Sequence, residues 1–370
     1  MNVQTLFPHI LHLKDPPGIQ PKIIFLSVLK IFRYVIWGIA MDPLLSIIIP
    51  TYNRSDMLDR AIKSALDSFA DENIEVVVVP NGPHDAWKIV EGKYRQDERV
   101  KWFHIDCGHA CVARNHGLKK SRGMYVRFLD DDDYLLPSSA DQLKNIKNSK
   151  ADISVAPLLI FDQRNNIFSL QSLPKTRDFV CSSLLSISIN NMTAGCIFLR
   201  AAINKKTWRE DVVLHDDYIW IIGVVANEEK KLLVENFPVV VYVQHDAERL
   251  SRVNRTIENS QILVNSILSF HQQLLSAGRG SSERSAAAAA ALLTHAHSVF
   301  PLAPLFFSRV IKNAQKIDSN AHPMQYVFKK YPWLASKLLM IEWVMVGPRY
   351  LTRGYRRFFW WLRSTSLLAR

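Results

Sequence analysis

Cysteine is scarce: Cys107, Cys111, Cys181 and Cys196 are the only four in 370 residues. A disulfide framework is therefore excluded as the organising principle, and reduced thiols in a cytosolic compartment are expected. Two of the cysteines share a short loop with His104 and His109, but the spacing matches no common structural zinc site. A long uninterrupted apolar run is also lacking. The nearest approach, Ile23 to Ala40, is broken by Lys30 and Arg33, and each charge costs about 2.5–3.5 kcal/mol at a bilayer centre. Residues 1–41 are thus expected to be an N-terminal extension, either an interfacial helix or a segment outside a folded domain that starts near Met41. No G-x-x-x-x-G-K loop is present, and no G-x-G-x-x-G follows the first strand, which removes P-loop and dinucleotide chemistry. Internal repeats are absent as well.

What is present is the composition of a folded chain, 48% hydrophobic and 22% charged, long enough for one substantial core and a smaller module. The net charge of +12 attracts polyanions: nucleic acid, anionic headgroups or phosphate-bearing small molecules. From Leu45 onward β-branched runs alternate with amphipathic stretches. The pattern predicts strands at 46–49, 74–79, 100–105 and 125–129, and helices at 56–69, 85–94 and 110–120. Continuous apolar strands between helices imply an α/β fold with a mostly parallel sheet buried on both faces. The pattern loosens after Leu136, with a probable antiparallel stretch over 153–168 and a strand at 239–243. From Thr256 it turns helical, including the alanine-rich run from Ala286 to Leu293. The expected organisation is a catalytic domain over 42–254, with a donor half (42–136) and an acceptor half (137–254), then a helical basic module over 255–370. Trp343 to Arg370 contains no acid and interleaves six arginines with aromatics, which suits an anionic membrane surface.

The chemistry-bearing feature is Asp130-Asp131-Asp132-Asp133, four carboxylates directly after a buried strand. In open α/β sheets ligands bind beyond the carboxyl ends of the strands, so this run falls at the mouth of the crevice. Anions about 4 Å apart repel by about 4 kcal/mol at an effective dielectric of 20, so the cluster calls for a cation. A divalent metal with oxygen ligands can bridge such a cluster to a diphosphate. An EF-hand is excluded: counted from Asp130, its glycine position is Leu135 and its glutamate position is Asp141.

Three motifs in order, Pro50-Thr51-Tyr52-Asn53-Arg54, Ala113-Arg114-Asn115-His116-Gly117 and Phe128-Leu129 with the four aspartates, resemble the family 2 glycosyltransferases of GT-A fold, of the type that builds bacterial cell-surface polysaccharide. The resemblance runs from Leu45 to about His245. It implies that Pro50, Thr51, Tyr52 and Asn53 line a nucleoside pocket, that Arg114, Asp130 and Asp131 face the donor, and that Asp132 is a metal ligand for Mn2+ or Mg2+. Where the family has an aspartate that reads the base, this chain has Asn81, which can still donate and accept. His215-Asp216-Asp217-Tyr218-Ile219-Trp220 resembles the family's Glu-Asp motif, one of whose carboxylates is the base. Counting back from Trp220 gives Asp216, which is the expected base, whereas matching the local string gives Asp217. Val241-Tyr242-Val243-Gln244-His245 resembles the family's Tyr-Arg-x-His segment, with His245 as a further metal ligand, and Arg249 and Arg252 beyond it can reach the phosphates.

The implied activity is inverting, metal-dependent transfer from a nucleotide-diphosphate sugar, UDP-linked by preference, to a saccharide or lipid-linked acceptor at the inner face of the cell membrane, by a cytoplasmic, peripheral protein. Two other readings stand beside it. One is a catalytically degenerate scaffold of the same fold, suggested by Asn81 and Val243. The other is a basic nucleic-acid-binding protein, which the acidic crevice opposes.

Overall fold

The computed structural model describes residues 42–351, apart from 174, 175, 177, 189–191, 204, 205 and 246–255. The expected interfacial helix before Met41, Arg249 and Arg252, and the tail beyond 351 lie outside the described residues.

In chain order the first half runs β1 (Leu45–Thr51), α1 (Ser55–Ser68), β2 (Ile74–Pro80), α2 (Trp87–Lys93), β3 (Val100–Trp102), α3 (Ala110–Lys120), β4 (Tyr125–Phe128), β5 (Tyr134–Leu135) and α4 (Ser138–Ser149). There follow β6 (Ile153–Val155), β7 (Leu158–Asp162), β8 (Ile167–Leu170), α5 (Phe179–Leu185), β9 (Cys196–Leu199), α6 (Arg200–Ile203), α7 (Asp216–Val225), β10 (Leu232–Val234) and β11 (Val240–Gln244). The helical remainder is α8 (Ile257–Ser276), α9 (Ser282–Val299), α10 (Pro304–Ile317), α11 (Tyr326–Lys330) and α12 (338–351).

Seven strands form one sheet in the order β10-β6-β9-β4-β1-β2-β3. Its pairs are parallel except for β9, which runs antiparallel between β4 and β6. The α/β, mostly parallel expectation is therefore correct. The central strands are buried along their whole length, and the pleat sends alternate side chains to two cores. Leu45, Ile47, Ile49, Val76 and Val78 pack with α1 on one face. Ile48, Val77, Val79 and Phe128 pack on the other with α7, α8, α9 and α10. Helix α3 lies close on that second face because Gly117 has no side chain; a Cβ there would sit 2.5 Å from Ile48 Cγ2.

Downstream the chain departs from the simple alternation. Strands β5, β11, β7 and β8 make a second, four-stranded sheet in that order, and only β6 of the expected 153–168 stretch joins the main one. The helical segment from Thr256 is present as expected. In α9, Ala287, Ala288, Ala289 and Ala291 are all buried, and their small side chains let α5, α8 and α10 approach closely.

Parallel pairing fixes where the motifs emerge. Thr51 pairs with Pro80 and Ile48 with Phe128, so the turns after β1, β2 and β4 leave the sheet at the same edge. The loop 50–54, Asn81-Gly82 and the aspartate run meet there.

Candidate active site

At the end of β1, Thr51 Oγ1 donates to Asp131 Oδ2 at 2.7 Å, and the backbone N–H of Tyr52 points to the same oxygen at 3.4 Å. Arg54 completes the cradle, with one guanidinium nitrogen 3.2 Å from Asp131 and 3.1 Å from Asp132. Burial pushes the Asp131 carboxyl up to about 7, with Arg54 opposing and the neighbouring Asp132 adding to the rise. Arg54 was visible in the sequence only as the residue after the Pro-Thr-Tyr-Asn turn, yet it touches two of the four aspartates.

Tyr52 stands nearly half exposed, with 47% of its surface open. Its hydroxyl meets His84 Nε2 at 3.2 Å, and its ring lies against two glycines. A Cβ on Gly82 would sit 2.6 Å from Tyr52 Cε2, and one on Gly108 would sit 2.9 Å from it. Gly82 also has a φ of +88°, a region that only glycine enters at no steric cost. Asn81 is buried, and both its backbone N–H and its side-chain amide donate to the Thr51 carbonyl. Pro50 is buried near the end of β1, and Asn53 takes the left-handed conformation with φ 52°.

The remaining aspartates have separate partners. Asp130 accepts from Arg114 at 2.8 Å. Asp132 meets His245 Nε2 at 2.9 Å across 113 positions of the chain. Asp133 is fully buried and accepts the backbone N–H of Val243 at 2.9 Å. Thus Asp132 and His245, the two expected metal ligands, are brought together by β11. Among the described residues, one group offers clustered ligand atoms for a metal: Asp130, Asp132 and Asp133 place one oxygen each within 4.8 Å of one another. Hard carboxylate oxygens at that separation fit a divalent cation such as Mg2+ or Mn2+. The loop with His104, Cys107, His109 and Cys111 forms no such group among the described residues; His104 instead stacks on Trp87.

Arg114 joins the two halves of the site. From α3 it reaches Asp130 with one nitrogen and Asp216, at the start of α7, with another at 2.7 Å. Burial opposes its charge, but the two carboxylates more than offset this and raise its pKa. The guanidinium lies 4.6 Å above the Trp208 ring, and Trp220 of α7 stacks on that ring at 4.6 Å with planes 3° apart. Asn115 pins the same segment, accepting from Trp208 N–H and donating to its carbonyl. The tryptophan one turn into α7 therefore acts as a spacer that sets the helix against Arg114.

The two candidate bases differ. Asp216 is engaged by Arg114 and by the Cys111 thiol at 3.5 Å, and burial, then Asp216, pushes that thiol up to about 12. Asp217 accepts the adjacent Tyr218 N–H at 2.7 Å. Burial, then the adjacent Asp216 charge, pushes its carboxyl up to about 7. His215, just before them, is the second residue of the site in the left-handed region, with φ 62°. Positive φ at Asn53 and His215 is the kind of local strain that persists where surrounding contacts hold it.

Residues 46–208 match the model of the family described as Glycosyl transferase family 2. An uncharacterized glycosyltransferase of Rickettsia felis is 37% identical over 106 residues, 29% of this chain and 17% of that protein. A Campylobacter jejuni protein, GalNAc(5)-diNAcBac-PP-undecaprenol beta-1,3-glucosyltransferase, is 26% identical over 186 residues, 48% of this chain and 59% of that protein. The chain thus spans less than two thirds of the length of either relative. Among solved structures, S. aureus TarS 1-349 in complex with UDP-GlcNAc superposes with a TM-score of 0.60 at 19% identity, covering 84% of this chain and 92% of that one. At that identity the likeness is one of fold.

Proposed function

We propose that this chain, a family 2 glycosyltransferase of GT-A fold, transfers a sugar with inversion from a UDP-linked donor to a saccharide or lipid-linked acceptor in cell-surface polysaccharide synthesis. The observation that carries the reading is the single guanidinium of Arg114 held between Asp130 and Asp216, which stand 86 positions apart in sequence. One cation thus links the aspartate run after β4 to the carboxylate pair at the start of α7. The UDP donor and the lipid-linked acceptor class are supported by the ligand in the TarS complex and by the name of the Campylobacter relative.

In this reading the nucleoside packs against the exposed Tyr52 ring, walled by Pro50, Thr51, Asn53 and Asn81. Arg114, Asp130 and Asp131 set the donor side. Asp132, with Asp130, Asp133 and His245, would hold Mn2+ or Mg2+, which when bound offsets the charge of the departing diphosphate. We assign the base to Asp217 and give Asp216 the role of positioning Arg114. Asp216 is held in an ion pair by Arg114, whereas burial raises the Asp217 carboxyl toward the range suited to removing a proton at neutral pH. The acceptor oxygen attacks the anomeric carbon as Asp217 takes its proton, and the bond to the diphosphate breaks on the opposite face. A single displacement of this kind needs no enzyme nucleophile and inverts the anomeric configuration. The site is placed at the cytoplasmic face of a membrane, where lipid-linked acceptors and nucleotide sugars meet.

A second reading, a scaffold that binds no donor, is favoured by one observation: the side-chain amide of Asn81 is spent on the Thr51 carbonyl. Calorimetric titration of UDP, GDP, dTDP and CMP with manganese, and again with chelator, separates the two. Binding of UDP only with metal, abolished by Asp132→Ala, is the expected result. Silence with all four nucleotides would establish the scaffold instead.

A further inference from the structure

From His322 to Arg370 the sequence contains nine lysines and arginines and one acid, Glu342. Glu342 is fully buried, meeting His297 of α9 at 2.5 Å and Arg349 at 2.7 Å. Within the described part of this stretch the surface therefore presents cations and no anion. Lys329, Lys330 and Lys337 are all exposed.

One side of α12 turns apolar side chains outward. In α12, Met340, Val344 and Leu351 are 60%, 68% and 76% exposed, and with Gly347 they fall at the spacing of one helical stripe. The opposite side, with Leu338 and Glu342, faces the core. Upstream of the stripe in sequence, Tyr326 and Trp333 are 74% and 62% exposed, and the ammonium group of Lys337 lies 6.0 Å over the Trp333 ring. Large exposed apolar patches rimmed by charge mark interaction surfaces. Tryptophan and tyrosine next to lysine, with no exposed acid, is the composition of a bilayer interface. No described helix is long and apolar enough to cross a membrane, so this face is suited to lie on one.

We propose that the face formed by α11, α12 and the turn between them docks on an anionic lipid bilayer, with Trp333, Met340, Val344 and Leu351 entering the headgroup boundary and the three lysines binding lipid phosphates. This goes beyond the transfer reaction and does not depend on it, since vesicle binding is read without donor or acceptor.

The test uses the full chain with vesicles of phosphatidylcholine alone and of phosphatidylcholine with phosphatidylglycerol, read by co-sedimentation and by Trp fluorescence. Sedimentation velocity without lipid, and UDP titration, run in parallel. The expected result is binding to the anionic vesicles, weakened by salt, and little to phosphatidylcholine alone. Replacing Lys329, Lys330 and Lys337 together by Gln lowers that binding by about 100-fold. Trp333→Ser with Val344→Ser lowers it by about 10-fold or more and removes the fluorescence shift, while nucleotide binding stays at the parent value in both variants. The proposal is overturned if the parent chain ignores anionic vesicles, if both variants bind them as the parent does, or if the parent self-associates in solution and Trp333→Ser with Val344→Ser abolishes that instead. Loss of nucleotide binding in the parent, with vesicle binding intact, would count against the transfer reading alone.

Discussion

Asp132 and His245 meet at 2.9 Å, so the end of β11 is tied to the acidic turn after β4. Arg54 reaches the same Asp132 oxygen from the other side. If these groups serve one ion, Asp132→Asn and His245→Ala each weaken manganese-dependent UDP binding by about 10-fold or more, and the double variant loses little beyond the worse single. A double-mutant cycle measured by calorimetry gives a coupling of about 0.5–3 kcal/mol for residues in one network. Strict additivity would remove His245 from the metal site.

The raised Asp217 carboxyl carries two signatures. For catalysis, kcat/KM climbs about tenfold per pH unit and levels above about 7, and Asp217→Asn lowers the plateau by 10²-fold or more and flattens the profile. Asp216→Asn removes the neighbouring charge that helps raise Asp217, so it moves the midpoint to lower pH but keeps the sloping profile. A profile that flattens with Asp216→Asn and not with Asp217→Asn reverses the assignment.

For stability the sign is opposite to that of an ion-paired aspartate. The folded pKa lies above the ordinary value of 3.8, so the neutral form stabilises the fold. That contribution is full below pH 3.8 and is lost as pH rises through about 7. Asp217→Asn keeps a neutral group throughout, so the variant gains on the parent as pH rises from 5 to 8 in urea denaturation.

Gly82 tests the nucleoside wall. Gly82→Ala forces a Cβ into Tyr52 at a backbone angle that L-residues avoid, and is expected to cost about 1–2 kcal/mol in stability and to weaken UDP binding by displacing the ring. Tyr52→Ala should lose about 1–3 kcal/mol of nucleotide affinity if the base stacks there. Tyr52→Phe keeps the stacking surface and is expected to be close to the parent. Equal affinity of Tyr52→Ala and parent would place the base elsewhere.

Glu342 is a buried acid between two basic partners. Removing it leaves Arg349 and His297 without their shared counter-charge, and Glu342→Ala is expected to destabilise the chain by about 3–5 kcal/mol in thermal denaturation. A change below about 1 kcal/mol would mean that α12 contributes little to the fold.

Much of the architecture could be read along the chain because its causes are local. β1, α1, β2 and α3 follow from apolar periodicity within windows of a few residues, and α3 begins and ends at Ala110 and Lys120 as expected. The strand read over 100–105 is regular only to Trp102, although Phe103 and Ile105 still donate to the Val78 and Pro80 carbonyls of β2 and Ile105 bridges Asn81. The second sheet was not legible, since β5 pairs with β11 from more than a hundred residues away and short strands carry little period. The site divides in the same way. The aspartate run and the Pro-Thr-Tyr-Asn turn are contiguous signals. The contacts of Arg54 with Asp131 and Asp132, and of Arg114 with Asp216, arise only when distant turns meet at one sheet edge. Between Asp216 and Asp217 sequence spacing was ambiguous, because what distinguishes them is the company each carboxylate keeps.

Helix α9 carries two histidines one residue apart from each other. His295 stands edge-on to His215 at 5.7 Å, directly before the carboxylate pair, while His297 clasps the buried Glu342 of α12. Residues two apart on a helix point in different directions, so α9 is a shared beam loaded from both sides. The end of α9 is thus held between the helix start that carries Asp216 and Asp217 and the helix that carries the exposed apolar stripe.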